Sequence, residues 1–186
     1  VAFHLESRLR YIALVVLFTI ATVYALIQLG IPKAAEWVAY KIPVEMETEL
    51  GEESLSVIAK YICPASTLEL QRQEQLRQQW LSRLGSDVMP PASIRFCSSK
   101  KIGPNAFALP GRHIIFTDQM VHFAENDKEL LGIFAHELAH VQKRHTMRHI
   151  LQNSATALIL VLITGDIGTI SSLSAAIPTL LVQAKF

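Results

Sequence analysis

Apolar and polar positions alternate along this chain at different periods, and each period predicts a different element. No residue from Tyr11 to Pro32 is charged. At about 1.5 Å per residue, ~20 apolar residues span the ~30 Å hydrocarbon core of a bilayer, which predicts a transmembrane helix over residues 11–31. Arg8, Arg10 and Lys33 bracket it, with Tyr11 and Trp37 near the two interfaces. Residues 32–43 read as a short juxtamembrane helix closed by Pro43. Five Glu then fall between Glu45 and Glu53, a pattern read as a solvated linker leading into a helix that ends before Cys63-Pro64. Ser66 or Thr67 is placed to cap a following helix that runs to Leu84, with Leu68, Leu76, Trp80 and Leu84 forming one buried stripe.

The period then changes to two. Residues 93–98 alternate as a short strand, and residues 105–109 and 113–117 read as strands joined by the turn dipeptide Pro110-Gly111. Thr117-Asp118 leads into a short helix. Asn126 followed by Glu129 has the form of a capping box, opening another helix at Asp127. That helix carries apolar residues on nearly every side, which predicts burial all round. From Ser154 to Val182 the chain is again apolar, with Asp166 as its one charge. This stretch reads as a helix, a loop over residues 165–172 and a further helix broken near Pro178, touching a membrane surface rather than spanning it. Helices, a small sheet and more helices in that order argue for a mostly helical α+β fold.

Length and composition narrow the function. The 186 residues allow one modest domain plus extras, and a net charge of +1 offers no surface for nucleic acid. Lys and Arg are nearly balanced across the apolar segment, so charge does not fix its orientation. Cys63 and Cys97 are too few for a disulfide framework and lack metal-type spacing, which leaves a single bond or two buried thiols.

The chemistry lies in His136-Glu137-Leu138-Ala139-His140. On a helix, positions i and i+4 share a face, so both imidazoles reach one ion. Glu137, rotated by about 100° from His136, reaches a water on that ion without becoming a ligand. A zinc hydrolase needs this division of labour. On a continuous helix His145 and His149 would lie about 180° and 220° from His136 and face away from the metal. Asp166 reads as a turn residue.

Asn105-Ala106-Phe107-Ala108-Leu109-Pro110-Gly111, a hairpin into Phe116-Thr117-Asp118-Gln119-Met120-Val121, and the His136–His140 motif together resemble zinc metallopeptidase family forty-eight, which includes HtpX, BepA and the CAAX prenyl protease. The resemblance runs from about Leu50 to the end. It implies a zincin-like core, with His136 and His140 as Zn2+ ligands, Glu137 as general base, and Asn105, Ala106, Phe107 and Ala108 edging the cleft and pairing with an extended peptide. Where that pattern has a second Gly after Gly111, this chain has Arg112, a stiffer and more basic turn. The family takes its third ligand from a Glu on a later helix, and no Glu follows Glu137 here. The last residues, 183–186, resemble what precedes that motif, so the resemblance implies a third ligand beyond Phe186.

The expected organisation is a flank over residues 1–10, an anchor over 11–31, a juxtamembrane helix and linker over 32–54, and a metallopeptidase domain over 55–186, incomplete at its C-terminus. The expected activity is a membrane-anchored zinc endopeptidase acting on proteins or peptides in envelope quality control. Its anchor would sit in lipid and its catalytic domain on the periplasmic side of a bacterial inner membrane. The alternative is a chaperone-like protein that binds peptide in the same cleft without hydrolysis. Oligomeric state is not legible.

Overall fold

The structure, a computed structural model, describes residues 2–85, 88, 89, 91 and 93–165. Its first feature is a long helical rod: α1 (Ala2–Ala25), a π turn (Leu26–Gly30) and α2 (Ile31–Lys41). The expected anchor and juxtamembrane helix are thus one continuous element. Pro32 sits in the first turn of α2, where its missing N–H and its ring disturb the regular bonding of the preceding turn, and the π turn takes up that disturbance. The stretch from Arg8 to Lys41 is long and apolar enough to cross a membrane, and none of its most apolar window is covered by the rest of the protein. Thr19 and Thr22 donate their hydroxyls to the Val15 and Phe18 carbonyls at 2.8 Å, which removes two polar groups from an apolar surface.

The acidic stretch is not a linker. Helix α3 begins at Val44, directly after Pro43, and runs to Tyr61. Glu45 and Glu47 lie in its first turn, where carboxylates favour the helix dipole. Glu47 is 6% exposed. Gly51 lets this helix press onto the β-hairpin turn: a Cβ there would lie 2.3 Å from the Pro110 carbonyl oxygen and 2.9 Å from His113 Cδ2.

Ser66 and Thr67 do not cap the next helix, α4 (Leu70–Leu81). Ser66 Oγ donates to Asp118 Oδ1 at 2.6 Å, and the Thr67 N–H and hydroxyl donate to Asp118 Oδ2 at 2.7 and 2.9 Å. Helix α4 is shorter at both ends than its apolar spacing predicts. Leu76 and Trp80 are its buried apolar residues, while Leu68 and Leu84 pack on the core from the flanking turns.

Strands β1 (Ser93–Cys97), β2 (Ala106–Leu109) and β3 (His113–Thr117) form a sheet of order β1-β3-β2. β1 runs parallel and β2 antiparallel to the central β3. Alternation sorts the side chains to two faces. Ile94, Phe96, Ala106, Ala108, Ile114 and Phe116 meet α4 and α6 (Asp127–Gln142), with Trp80 stacked on Phe134 at 5.1 Å and tilted against Phe116 at 4.6 Å. Cys97, Phe107, Leu109 and Ile115 meet Leu55 and Ile58 of α3. Helices therefore cover both faces. Cys63 and Cys97 form a disulfide that joins the end of α3 to the end of β1.

Helix α5 (Asp118–Phe123) is capped by Thr117, whose hydroxyl accepts from the Met120 N–H. Asn126 caps α6 as its spacing predicts, accepting from the Lys128 and Glu129 amides. Glu129 accepts from the Glu125 amide, one residue earlier than a strict capping box. The apolar helix after the metal motif begins earlier than its composition shows. Helix α7 (His145–Thr164) is a single element ended by left-handed Gly165. Asp166, the expected loop and the break near Pro178 lie outside the described residues.

Gly51→Ala should cost about 1–3 kcal/mol of stability, because backbone rather than a flexible side chain fills the space. Gly132→Ala on α6, which meets nothing within 4 Å among the described residues, should instead gain about 0.5–1 kcal/mol of helix propensity. Urea unfolding of the two variants in detergent checks both signs.

Candidate metal and catalytic site

Helix α6 presents the motif on two faces. Leu130, Phe134, Glu137, Leu138 and Val141 turn inward. Gly132, Ala135, His136 and Ala139 are exposed and His140 is half-buried, so the helix is not buried all round as its composition suggested. Phe134 and Leu138 belong to the Trp80 core, which fixes the helix's rotation and hence the direction of both histidines.

His136 Nε2 and His140 Nε2 lie 3.1 Å apart. Two nitrogens at about 2.0–2.1 Å from one tetrahedral ion would be separated by about 3.3–3.4 Å, so this convergence fits a shared metal. Burial, then the neighbouring charges of His145, His136, His149 and Lys143, push the His140 pKa down, which favours the neutral ring that a metal ligand must be. Among the described residues no group of three His, Cys, Asp or Glu side chains is placed to hold a metal.

Glu137 lies against the sheet, 5% exposed. Burial pushes its pKa up to about 7, and a hydrogen bond from the Ala108 backbone N–H opposes part of that rise. A carboxylate poised near neutrality suits a general base.

That bond alters the reading of the neighbouring strand. Asn105 and Thr117 exchange bonds across the hairpin, the Thr117 N–H donating to the Asn105 carbonyl at 3.0 Å and the Asn105 N–H to Thr117 Oγ1 at 2.9 Å. By alternation, Phe107 and Leu109 also point their backbone groups at β3, and Ala106 and Ala108 point theirs outward. The outward groups of Ala108 are already engaged, its N–H by Glu137 and its carbonyl by the Thr146 hydroxyl at 2.9 Å. Ala106 also points its backbone groups outward from the β2–β3 pair. Ala108 holds the Glu137 carboxylate. Gly111 and Arg112 both take positive φ, 72° and 64°, so Arg112 adopts the conformation that the expected glycine would occupy, at some steric cost.

The largest departure concerns the residues after the motif. α6 does not continue into His145. It ends at Gln142, and Arg144 takes a left-handed conformation, φ 50° and ψ 35°, before α7 starts. His145 therefore turns back toward the motif, with its Nδ1 3.0 Å from His140 Nδ1. Arg144 Nη1 donates to the Ala39 and Ile42 carbonyls at 2.7 and 3.0 Å, and its Nε meets Glu47 Oε2 at 3.2 Å. None of these partners was singled out in the sequence. Gln142-Lys143-Arg144 contains neither Gly nor Pro, so no local signal marks the break. His149 stays exposed, as expected.

The sequence profile of Peptidase family M48 matches residues 70–184. The chain belongs to that family. No curated protein sequence matches the chain. Family membership places it among the proteases, in a family that is generally zinc-dependent. The matched span takes in α4, the sheet and the whole histidine motif, while α1–α3 lie before it.

Because the folded pKa of Glu137 lies above its ordinary value of 4.5, the metal-free fold retains a proton that the unfolded chain has lost. Its contribution is complete below about pH 4.5 and is lost as pH rises through about 7, a difference on the order of 3 kcal/mol. Chelator-treated Glu137→Gln protein should lack that pH dependence and be more stable than the parent at pH 8, as measured by thermal unfolding from pH 4 to 8.

Proposed function

We propose that the protein is a membrane-anchored zinc endopeptidase. The observation that carries this reading is the 3.1 Å approach of His136 Nε2 and His140 Nε2 beside the buried carboxylate of Glu137. His136 and His140 would hold the zinc, and a carboxylate from beyond the described residues would complete the set. When bound, zinc would lower the pKa of water toward about 7 and polarise a peptide carbonyl. Glu137 would take the water's proton on its carboxylate and return it to the departing amine, with the Ala108 N–H keeping the carboxylate in place. The outward backbone groups of Ala106 would bond to an extended peptide laid along β2. Asn105 and Phe107 would serve as the wall behind it.

Residues 11–31 are proposed to cross the lipid, supported by their uncovered apolar surface. The Cys63–Cys97 disulfide supports an oxidising compartment for the domain, which in a bacterium is the periplasmic side. Substrates would then be envelope proteins near the membrane, the setting of protein quality control. The domain is proposed to extend back to α3, since Gly51 and Glu47 bury that helix against it.

The full-length gene product should bind about one zinc per chain, and His136→Ala or His140→Ala should abolish binding. Glu137→Gln should retain zinc but hydrolyse casein about 10²–10⁴-fold more slowly, because an amide cannot accept the proton. Zinc-loaded Glu137→Gln that cleaves at the parent rate would remove Glu137 from the reaction. Parent protein that binds peptide and zinc yet cleaves nothing would favour the chaperone-like alternative.

The anchor makes a separate prediction. Deletion of residues 1–30 should move the protein from the membrane pellet to the soluble fraction. Retention in the pellet would assign anchoring to the apolar half of α7.

A further inference from the structure

An imidazole that offers Nε2 to a metal carries its proton on Nδ1, and that N–H needs an acceptor on the opposite edge of the ring. Nδ1 of His140 faces Nδ1 of His145 at 3.0 Å, with the two rings nearly perpendicular at 78°. Nε2 of the same ring faces His136. His145 therefore stands behind His140, not beside the metal position, and is unsuited to be a missing ligand.

The position of His145 is itself determined from both sides. On one side, Arg144 is fastened to the Ala39 and Ile42 carbonyls and to Glu47. On the other, the Thr146 hydroxyl is bound to the Ala108 carbonyl and Met147 is 1% exposed. The two neighbours of His145 are thus tied to α2, α3 and β2, and the ring between them has little freedom to turn away.

We propose that His145 is a positioning residue. It accepts a hydrogen bond from His140 Nδ1–H, selects the tautomer of His140 that leaves Nε2 free, and fixes that ring's orientation toward His136. The proposal rests on the zinc reading above. It assigns the proton of His145 to its own Nε2.

The test compares His145→Asn, whose Oδ1 can accept where Nδ1 did, with His145→Leu, which fills the space without an acceptor. Zinc affinity of the full-length protein is measured by chelator competition, with Co2+ absorption as a report on ligand geometry. The Leu variant should bind zinc about 10–100-fold more weakly, with an altered Co2+ spectrum. The Asn variant should stay within about threefold of the parent. Parent-like zinc binding by the Leu variant would overturn the proposal, and so would equal losses in both variants.

Nitrogen NMR of the zinc-loaded parent gives a second reading that survives misfolding of either variant. It should show His140 protonated at Nδ1 and His145 unprotonated at Nδ1, and the reverse pattern overturns the assignment. His140→Ala run alongside separates the two claims. If it abolishes zinc binding while both His145 variants bind as the parent does, the site stands and the positioning role falls. If it leaves zinc binding intact, the site reading falls with it.

Discussion

Arg144 occupies a backbone conformation that costs a non-glycine residue about 1–2 kcal/mol. It keeps that conformation because its guanidinium ties α2 and α3 to the start of α7. The last carbonyls of α2, left without partners at a helix C-terminus, accept from Nη1. The carboxylate of Glu47, buried on α3, pairs with Nε. Removing the arginine would leave a buried carboxylate and two carbonyls unpaired, and each is a greater cost than the strain. The direction of α7 follows from this exchange, and so do the places of His145 and Thr146. Farther along, Arg148 meets Glu36 at 3.2 Å, so α7 runs antiparallel along α2, over the small side chains of Ala35 and Ala39.

The buried carboxylate of Glu137 depends on a different support. Glu137 is held by a backbone amide of β2, an edge strand whose register is set by β3. β3 is in turn covered on one face by the aromatic cluster around Trp80 and on the other by α3. Gln or Ala at position 137 would still find that amide in place, since nothing in the sheet requires the carboxylate. The carboxylate is an addition to a finished scaffold. His140, by contrast, is oriented by a residue that follows it in the same chain turn, and its geometry is tied to the fold of the elbow itself.

Much of this was legible in the sequence because local rules and packing agreed. Asn126 capped α6, Thr117 opened α5, and the alternation in residues 93–97, 106–109 and 113–117 gave the strands. The pairing of His136 with His140 followed from helix geometry alone. The misreadings arose where a long-range partner outweighed a local preference. Ser66 and Thr67 had the chemistry of caps, but Asp118, some fifty residues away, offered a buried carboxylate that needed donors. The glutamates of α3 looked solvated because nothing nearby revealed that Arg144 would bury one of them. The contact of His145 with His140 was missed by extending α6 at 100° per residue through a break that no glycine announced. Both errors have a common origin in one arginine.

The rod made by α1 and α2 has no loop between its apolar part and its contacts with the rest of the protein, only a π turn. From Ile31 onward the rod has a buried face, Ile31, Ala35 and Ala39, and it is fastened by Arg148 at Glu36 and by Arg144 at Ala39. With the apolar part set across a bilayer, this makes the rod a ruler rather than a tether. A flexible tether would let the cleft sample a volume, whereas a ruler holds it at one height above the lipid. Polypeptide leaving the membrane would be met close to its surface, before it had room to fold. Selection of substrates by distance from the surface would need no sequence preference at all.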